Sequence, residues 1–325
     1  MRNQWLRMLK GACVCVLCLS MVSGCKKTEK AVIEQVTNPV FTAEDIRELK
    51  VTNDGEVSYQ LVYEPRKDRE SYLYWDMPIP YESIATVDTE EIYKLFRVFA
   101  GIDIKSGKQD ESREKITDSD TTITVSYYQA DEETNNNSQE PIDTKPEHPE
   151  PNKTATILVG EKEDNAYACA IEGNDAVYLI KDYLIDSVLN EKPYDMILKV
   201  PFLLDIKSVK EVHMEWGDKK AVLKSSKDGG SLNGEAIDQK TYRSLYAMTF
   251  QCGMTGEIPD GLDVGKGKDE ILRLNYLRTD SEFEEYRVSF YAYDESNDAV
   301  RINGKVAFLV SKDDVEALLT CLNRL

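Results

Sequence analysis

The chain has 325 residues, 59 acidic against 40 basic, with a formal net charge of −19 and a mean hydropathy of −0.47. The length suggests about two domains. Such an acidic balance is repelled by phosphate backbones and by anionic lipid headgroups, which argues against nucleic-acid binding and against a membrane-binding basic surface.

The N-terminus supplies a different route to the membrane. Arg2, Arg7 and Lys10 form a basic start, and Gly11 to Val22 form an apolar run too short to span a bilayer. Val22-Ser23-Gly24-Cys25 then resembles a lipobox, in which cleavage precedes the Cys and that Cys is lipidated. The expectation is a signal over 1–24 and an anchor on Cys25, with 25–40 as a lipidated tether that includes Lys26-Lys27. Removing residues 1–24 leaves 37 basic and 59 acidic residues, a charge of −22. Attachment then rests on acyl chains, each buried CH₂ contributing ~0.8 kcal/mol.

Beyond the tether, the elements recur in two sets. Asp45 to Val51 and Asp205 to Val212 read as alternating strands. Val57 to Tyr63 and Lys220 to Leu223 follow as second strands. Asp88 and Asp238 stand at helix N-caps, each before apolar residues spaced by three and four. Thr122 to Tyr128 parallels Ile271 to Leu277, and Thr154 to Val159 parallels Tyr286 to Tyr293. Ala176 to Ile180 parallels Val306 to Val310. Each set closes with a helix, about Lys181 to Leu189 and Lys312 to Asn323.

The offset between the sets is 160 at Asp45, 150 at Leu95 and 130 at Tyr178. The last fall matches an extra polar segment, Gln129 to Lys153, which is rich in Glu, Asn, Asp and Pro and has little to bury. Lys227 to Ser231 reads as a hairpin turn, Pro193-Tyr194-Asp195 as the start of a junction, and Leu198 to Leu204 as part of a hinge strand. The expected fold class is α+β. It comprises two homologous modules, 41–192 and 193–325, each a mainly antiparallel sheet with two helices.

These runs resemble an uncharacterised bacterial envelope lipoprotein family with a repeated domain of unknown function. The resemblance rests on Asp205-Ile206-Lys207-Ser208-Val209, the turn Leu232-Asn233-Gly234, the Asp-started helices and the closing Val177-Tyr178-Leu179-Ile180 strand. Trp75, Pro78 and Pro80 before Asp88 add to it. It spans roughly 45–325. Some relatives are auxiliary to gliding or export ABC systems, which implies an accessory role. The family brings no catalytic residues.

Little in the chain looks like chemistry. His148 lies in the acidic insert, and His213 sits on a strand where alternation makes it a same-face neighbour of Glu215, without a nucleophile motif beside it. Cys169, Cys252 and Cys321 are widely spaced and show no zinc pattern. They read as small buried apolar residues, Cys321 on an apolar helix stripe, though one disulfide is permitted outside the cytoplasm. Asp294 to Asp298 places oxygen ligands at alternate positions but lacks the Gly and Glu of a calcium loop, since Ala299 and Lys305 stand there. Asp118-Ser119-Asp120 is a weaker case. Gly265 to Lys268 is a basic turn and not a phosphate loop. Acidic neighbours such as Glu284-Glu285 are expected on a solvated surface.

The 18 tyrosines leave one candidate surface, Tyr72, Tyr74 and Trp75, where aromatics suit sugars or peptides. The expectation is therefore a lipid-anchored, non-catalytic envelope protein without cofactor or metal, acting on a protein partner, with a transporter as one candidate. A solute-binding lipoprotein with a cleft between the modules is the alternative, and a wall-directed hydrolase the third.

Overall fold

Two sheets, each antiparallel along its main path, carry the architecture, and the class is α+β. The computed structural model describes residues 33–65, 70–101, 108–110, 116, 119–130, 148–259, 262–279 and 284–325. The first half contains β1 (Glu34–Gln35), β2 (Ile46–Asn53), β3 (Glu56–Tyr63) and β4 (Trp75–Met77). A short turn, α1 (Pro78–Tyr81), and the helix α2 (Thr89–Ala100) follow. Then come β5 (Lys108–Asp110), β6 (Thr122–Tyr127), β7 (Lys153–Glu163), β8 (Ala166–Ile171), β9 (Val177–Lys181) and α3 (Asp182–Leu189).

The second half contains β10 (Val209–Trp216), β11 (Lys219–Ser226), β12 (Gly229–Leu232), β13 (Glu235–Asp238) and α4 (Gln239–Met248). It continues with β14 (Met254–Glu257), β15 (Glu270–Arg278), β16 (Glu285–Ala292), β17 (Asn297–Ile302), β18 (Val306–Ser311) and α5 (Lys312–Leu322).

The strand orders correspond. The first sheet runs β4-β3-β2-β6-β7-β8-β9-β5, and the second runs β13-β12-β11-β10-β15-β16-β17-β18-β14. Removing β13 makes the two orders the same. Register agrees as well. Ile46 pairs with Tyr127 and Val209 with Arg278, and in both sheets the pairing slips before the next residue pair, at Glu48 and Glu211. Further along, Ile157 pairs with Ile171 as Val288 pairs with Ile302. The offset falls from 151 (Tyr127 to Arg278) to 131 (Ile157 to Val288), and the Gln129–Lys153 insert lies between these points.

The sequence punctuation explains the local structure. The Asp88 carboxylate accepts the Glu90 N–H at 3.0 Å, and Asp238 accepts the Thr241 N–H at 3.0 Å. Each caps an amide that the helix itself cannot pair. At Gly230 a Cβ would lie 2.5 Å from the Tyr242 ring and 2.7 Å from the Lys224 carbonyl, so α4 packs on this hairpin only over glycine. The insert is clamped at its base. The Asn152 amide accepts the Gln129 N–H and donates to its carbonyl, both at 2.8 Å. Most of the insert, 131–147, lies outside the described residues.

Several expectations are corrected. Asp45 and Asp205 do not begin strands. Asp45 ends a short 3₁₀ turn and Asp205 caps the start of another, and the strands open at Ile46 and Val209. Of the stretch to residue 40 expected as a tether, Glu34 to Val36 already joins the first sheet, where β1 pairs in parallel with β7 and the Val36 N–H donates to the Thr154 carbonyl. Leu198 to Leu204 forms no strand. It crosses as irregular chain with Phe202 fully buried against Phe250 and Tyr276, so side-chain burial rather than pairing holds it.

One apolar core runs through both halves, from Ile46, Phe96 and Ile157 to Leu274, Phe290 and Phe308. The segment after β4 carries it across. The Tyr81 ring lies 5.5 Å from Phe308, and its hydroxyl donates to Glu257 at 2.6 Å. Backbone bonds complete the junction: Leu198 N–H to the Thr86 carbonyl at 2.9 Å and Asp88 N–H to the Met196 carbonyl at 2.8 Å.

Candidate functional site

The sequence-predicted groups scatter. Cys25, with the whole signal, lies outside the described residues, as does Asp118. Trp75 is buried, 3% exposed, against Phe96 and Tyr63. It is therefore a core residue and no part of an exposed aromatic face. Tyr74 is half-buried, edge-on to Tyr63 and His148, and only Tyr72 stands well out. Tyr72 lies in the 3₁₀ turn Ser71–Leu73 and Tyr74 caps its C-terminal end, while Trp75 opens the buried strand β4, so no single strand face presents the three together. Tyr127 is buried in the core.

His148 is not a free loop residue. Its Nδ1 lies 3.0 Å from the Tyr63 hydroxyl, and Arg47, stacked over that same ring, donates to the Pro149 carbonyl. This arrangement staples the end of the insert to the first sheet.

His213 is half-exposed and bonds Glu211 at 3.0 Å, while Glu215 turns to Arg273. Glu211 also meets Lys224 at 2.9 Å. The two partners hold its carboxyl down at about 2. The three thiols are unpaired; Cys169 and Cys252 are buried, but Cys321 is exposed, since α5 buries Val315, Leu318 and Leu322 instead. Burial pushes Cys169 and Cys252 up to about 12, which leaves them protonated and unreactive. Asp294 serves its own turn by accepting the Ser296 and Asn297 N–H groups. Among the described residues no three His, Cys, Asp or Glu side chains converge on a metal-sized point, and no helix is long and apolar enough to cross a membrane.

Among the described residues, two cavities bear on the question. One, about 70 Å³, sits at the junction among Trp75, Asp76, Leu204, Asp205, Arg278 and Tyr286. It is far smaller than the ~300–1,000 Å³ of small-molecule pockets. The other, about 530 Å³, opens on the second sheet and is rimmed by Glu82 and Ile84 of the first half.

Strand register builds the larger cavity. Arg273, Ser289 and Arg301 are cross-strand partners on β15, β16 and β17, so they form one row on one face. Arg287, paired with Asn275, stands in the next row. Each cation meets a carboxylate. Arg273 contacts Glu270 and, at 3.1 Å, Glu215. Arg287 bonds Glu285 at 3.1 Å and Asn275 at 3.2 Å. Arg301 bonds Asp263 at 2.9 Å, and Lys305 bonds Glu82 at 2.5 Å. Two buried donors, Arg273 Nε and Asn303 Nδ2, have no acceptor. This cluster was not anticipated from the sequence. Its signal was three arginines at outward-alternating positions of strands in an acidic chain.

The fold defines an α+β protein of two like-ordered sheets. The chain belongs to the family described as Domain of unknown function (DUF4340), whose model matches residues 75–251, just over half of the chain. The match runs from β4 to just past α4, so it takes in parts of both sheets and is shorter than the expected 45–325. No curated protein and no solved structure matches the chain.

Proposed function

We infer that this protein is a lipid-anchored, non-catalytic envelope component, held by Cys25 and acting through contact with a protein partner, with a transporter as one candidate. The closed junction between the halves carries this reading. A hinged solute-binding protein needs a cleft between its lobes, whereas here Tyr81, Tyr286 and the backbone bonds at Thr86 and Asp88 occupy the centre of the junction and leave about 70 Å³ there, the larger cavity lying on the second sheet with only Glu82 and Ile84 from the first half at its rim. A rigid body on a tether suits display of a surface better than closure around a solute. The two halves are read as a duplicated module, supported by the like strand order and the shared register slip.

The test is fractionation and crosslinking on intact cells. The wild-type chain should sediment with membranes and crosslink to a discrete partner, and Cys25→Ala should lose lipid labelling and appear unprocessed or released. Unchanged, lipid-labelled attachment of that variant would sink the anchor. Crosslinks spread over unrelated proteins would sink the partner.

A further inference from the structure

We propose that the 530 Å³ cavity on the second sheet is a binding site for a small zwitterion of the amino-acid or short-peptide kind, a ligand carrying an ammonium and a carboxylate on a polar frame. The inference stands apart from the anchor and partner reading, and either can fail without the other.

The first observation is the arrangement of charge. The lining brings Arg273, Arg287, Arg301 and Lys305 together with Glu82, Glu270 and Glu285. These charges are already paired with one another or with Asp263 and Glu215 beside the cavity. A lone anion entering such a lattice finds its cations neutralised and meets the field of a chain with net charge −19. A dipolar guest meets no such opposition. Its carboxylate can join an arginine, which has five N–H donors and uses only some of them here, while its ammonium joins a glutamate. Partners are exchanged and the net charge of the cavity is unchanged.

The second observation is the pair of unanswered donors. Arg273 Nε and Asn303 Nδ2 are both N–H groups, and both lack an acceptor. A buried donor without a partner is unfavourable. Both belong to residues that line the cavity, and a guest's carboxylate or peptide carbonyl can answer either donor once its side chain turns toward that space.

The third observation is the matching place in the first half. There the register row Arg273, Ser289, Arg301, Ala307 is replaced by Thr122, Leu158, Ala170, Val177. Ile116 closes that face, packing with Ala168, Ala170 and Val177. In the second half the corresponding crossing segment brings Asp263 to Arg301 and buries Val264, but leaves the arginine row open. The same strand framework is closed with apolar side chains in one half and kept polar and hollow in the other. The volume falls within the range that holds small ligands.

The experiment is calorimetric titration of the full chain with trialanine, its N-acetylated form, its C-amidated form, and inorganic phosphate. Trialanine should saturate, and each capped form should bind at least about tenfold more weakly. Arg301→Gln should erase the difference between trialanine and its amide. Glu285→Gln should erase the difference between trialanine and the acetylated peptide. Arg301→Lys should restore part of the first. Near-ultraviolet circular dichroism verifies that the variants fold, and loss of fold in Arg301→Gln leaves Glu285→Gln and Arg301→Lys to decide. The proposal is overturned by no saturation with trialanine at ~10 mM, by equal binding of the capped forms, by phosphate binding as tightly as trialanine, or by folded variants that bind like the wild type.

Discussion

The outer faces of the two sheets show how one strand framework takes opposite fates. In the first half, Leu158, Ala168, Ala170, Val177 and Leu179 gather under Ile116 as a small satellite core. In the second, positions in the same register carry Ser289, Ala299, Arg301, Ala307 and Leu309, with Arg273 alongside, and the face opens where Ser289 and the two arginines stand. The opposite faces of both sheets join one continuous core. Sheet pairing therefore fixes where a side chain stands, and the identity of a few outward residues decides whether that face is closed or offered.

The comparison breaks most severely if the shared core is not shared. Phe290→Ala should cost about 3–5 kcal/mol through lost burial and a cavity, and both halves should melt together in denaturant. Two separate transitions, with only one shifted, would mean that the halves are independent and that the junction is a loose contact.

A smaller effect sharpens the contrast between the faces. Ile116→Ala should cost about 2 kcal/mol or somewhat more, since it uncovers the satellite core. Arg301→Ala, at the position matching Ala170, should change stability by less than about 1 kcal/mol, because its pair with Asp263 is half-exposed and worth little. Chemical denaturation of the two variants measures both. Equal losses would show that the second face is also part of the packing.

The smallest expected effect concerns pH. Glu211 is held down at about 2 by His213 and Lys224, from an ordinary value of 4.5. A depressed carboxylate contributes stability above its unfolded value and loses it as the pH falls toward the folded one. The wild type should therefore lose this contribution between about pH 4.5 and 2, and Glu211→Gln should flatten that part of the curve. A pH dependence identical in the two proteins would remove the pairing from the account.

Much of the framework was legible in the sequence because it rests on local chemistry. The Asp88 and Asp238 caps, the helices near 182–189 and 312–322, and the strands around Val125, Leu274 and Phe308 follow from capping groups and alternation. β8 was missed because Ala166-Tyr167-Ala168-Cys169-Ala170-Ile171 alternates weakly. β17 was missed because Asn297 and Asp298 look like a turn, although Asp298 is buried in the sheet. The arginine-lined cavity was illegible for a different reason. Arg273, Arg287 and Arg301 lie far apart in the chain, and only cross-strand register makes them neighbours.

By itself the sequence determined the acidic charge, the lipobox-like start, the caps and the doubled order of elements, all set by residues close together in the chain. Tertiary structure alone decided that Trp75 is core, that β1 joins the first sheet, that the junction is filled by Tyr81 and Tyr286, and that one outer face is closed while the other is hollow. Those outcomes depend on which distant side chains meet, and that is set by register and packing across the whole fold.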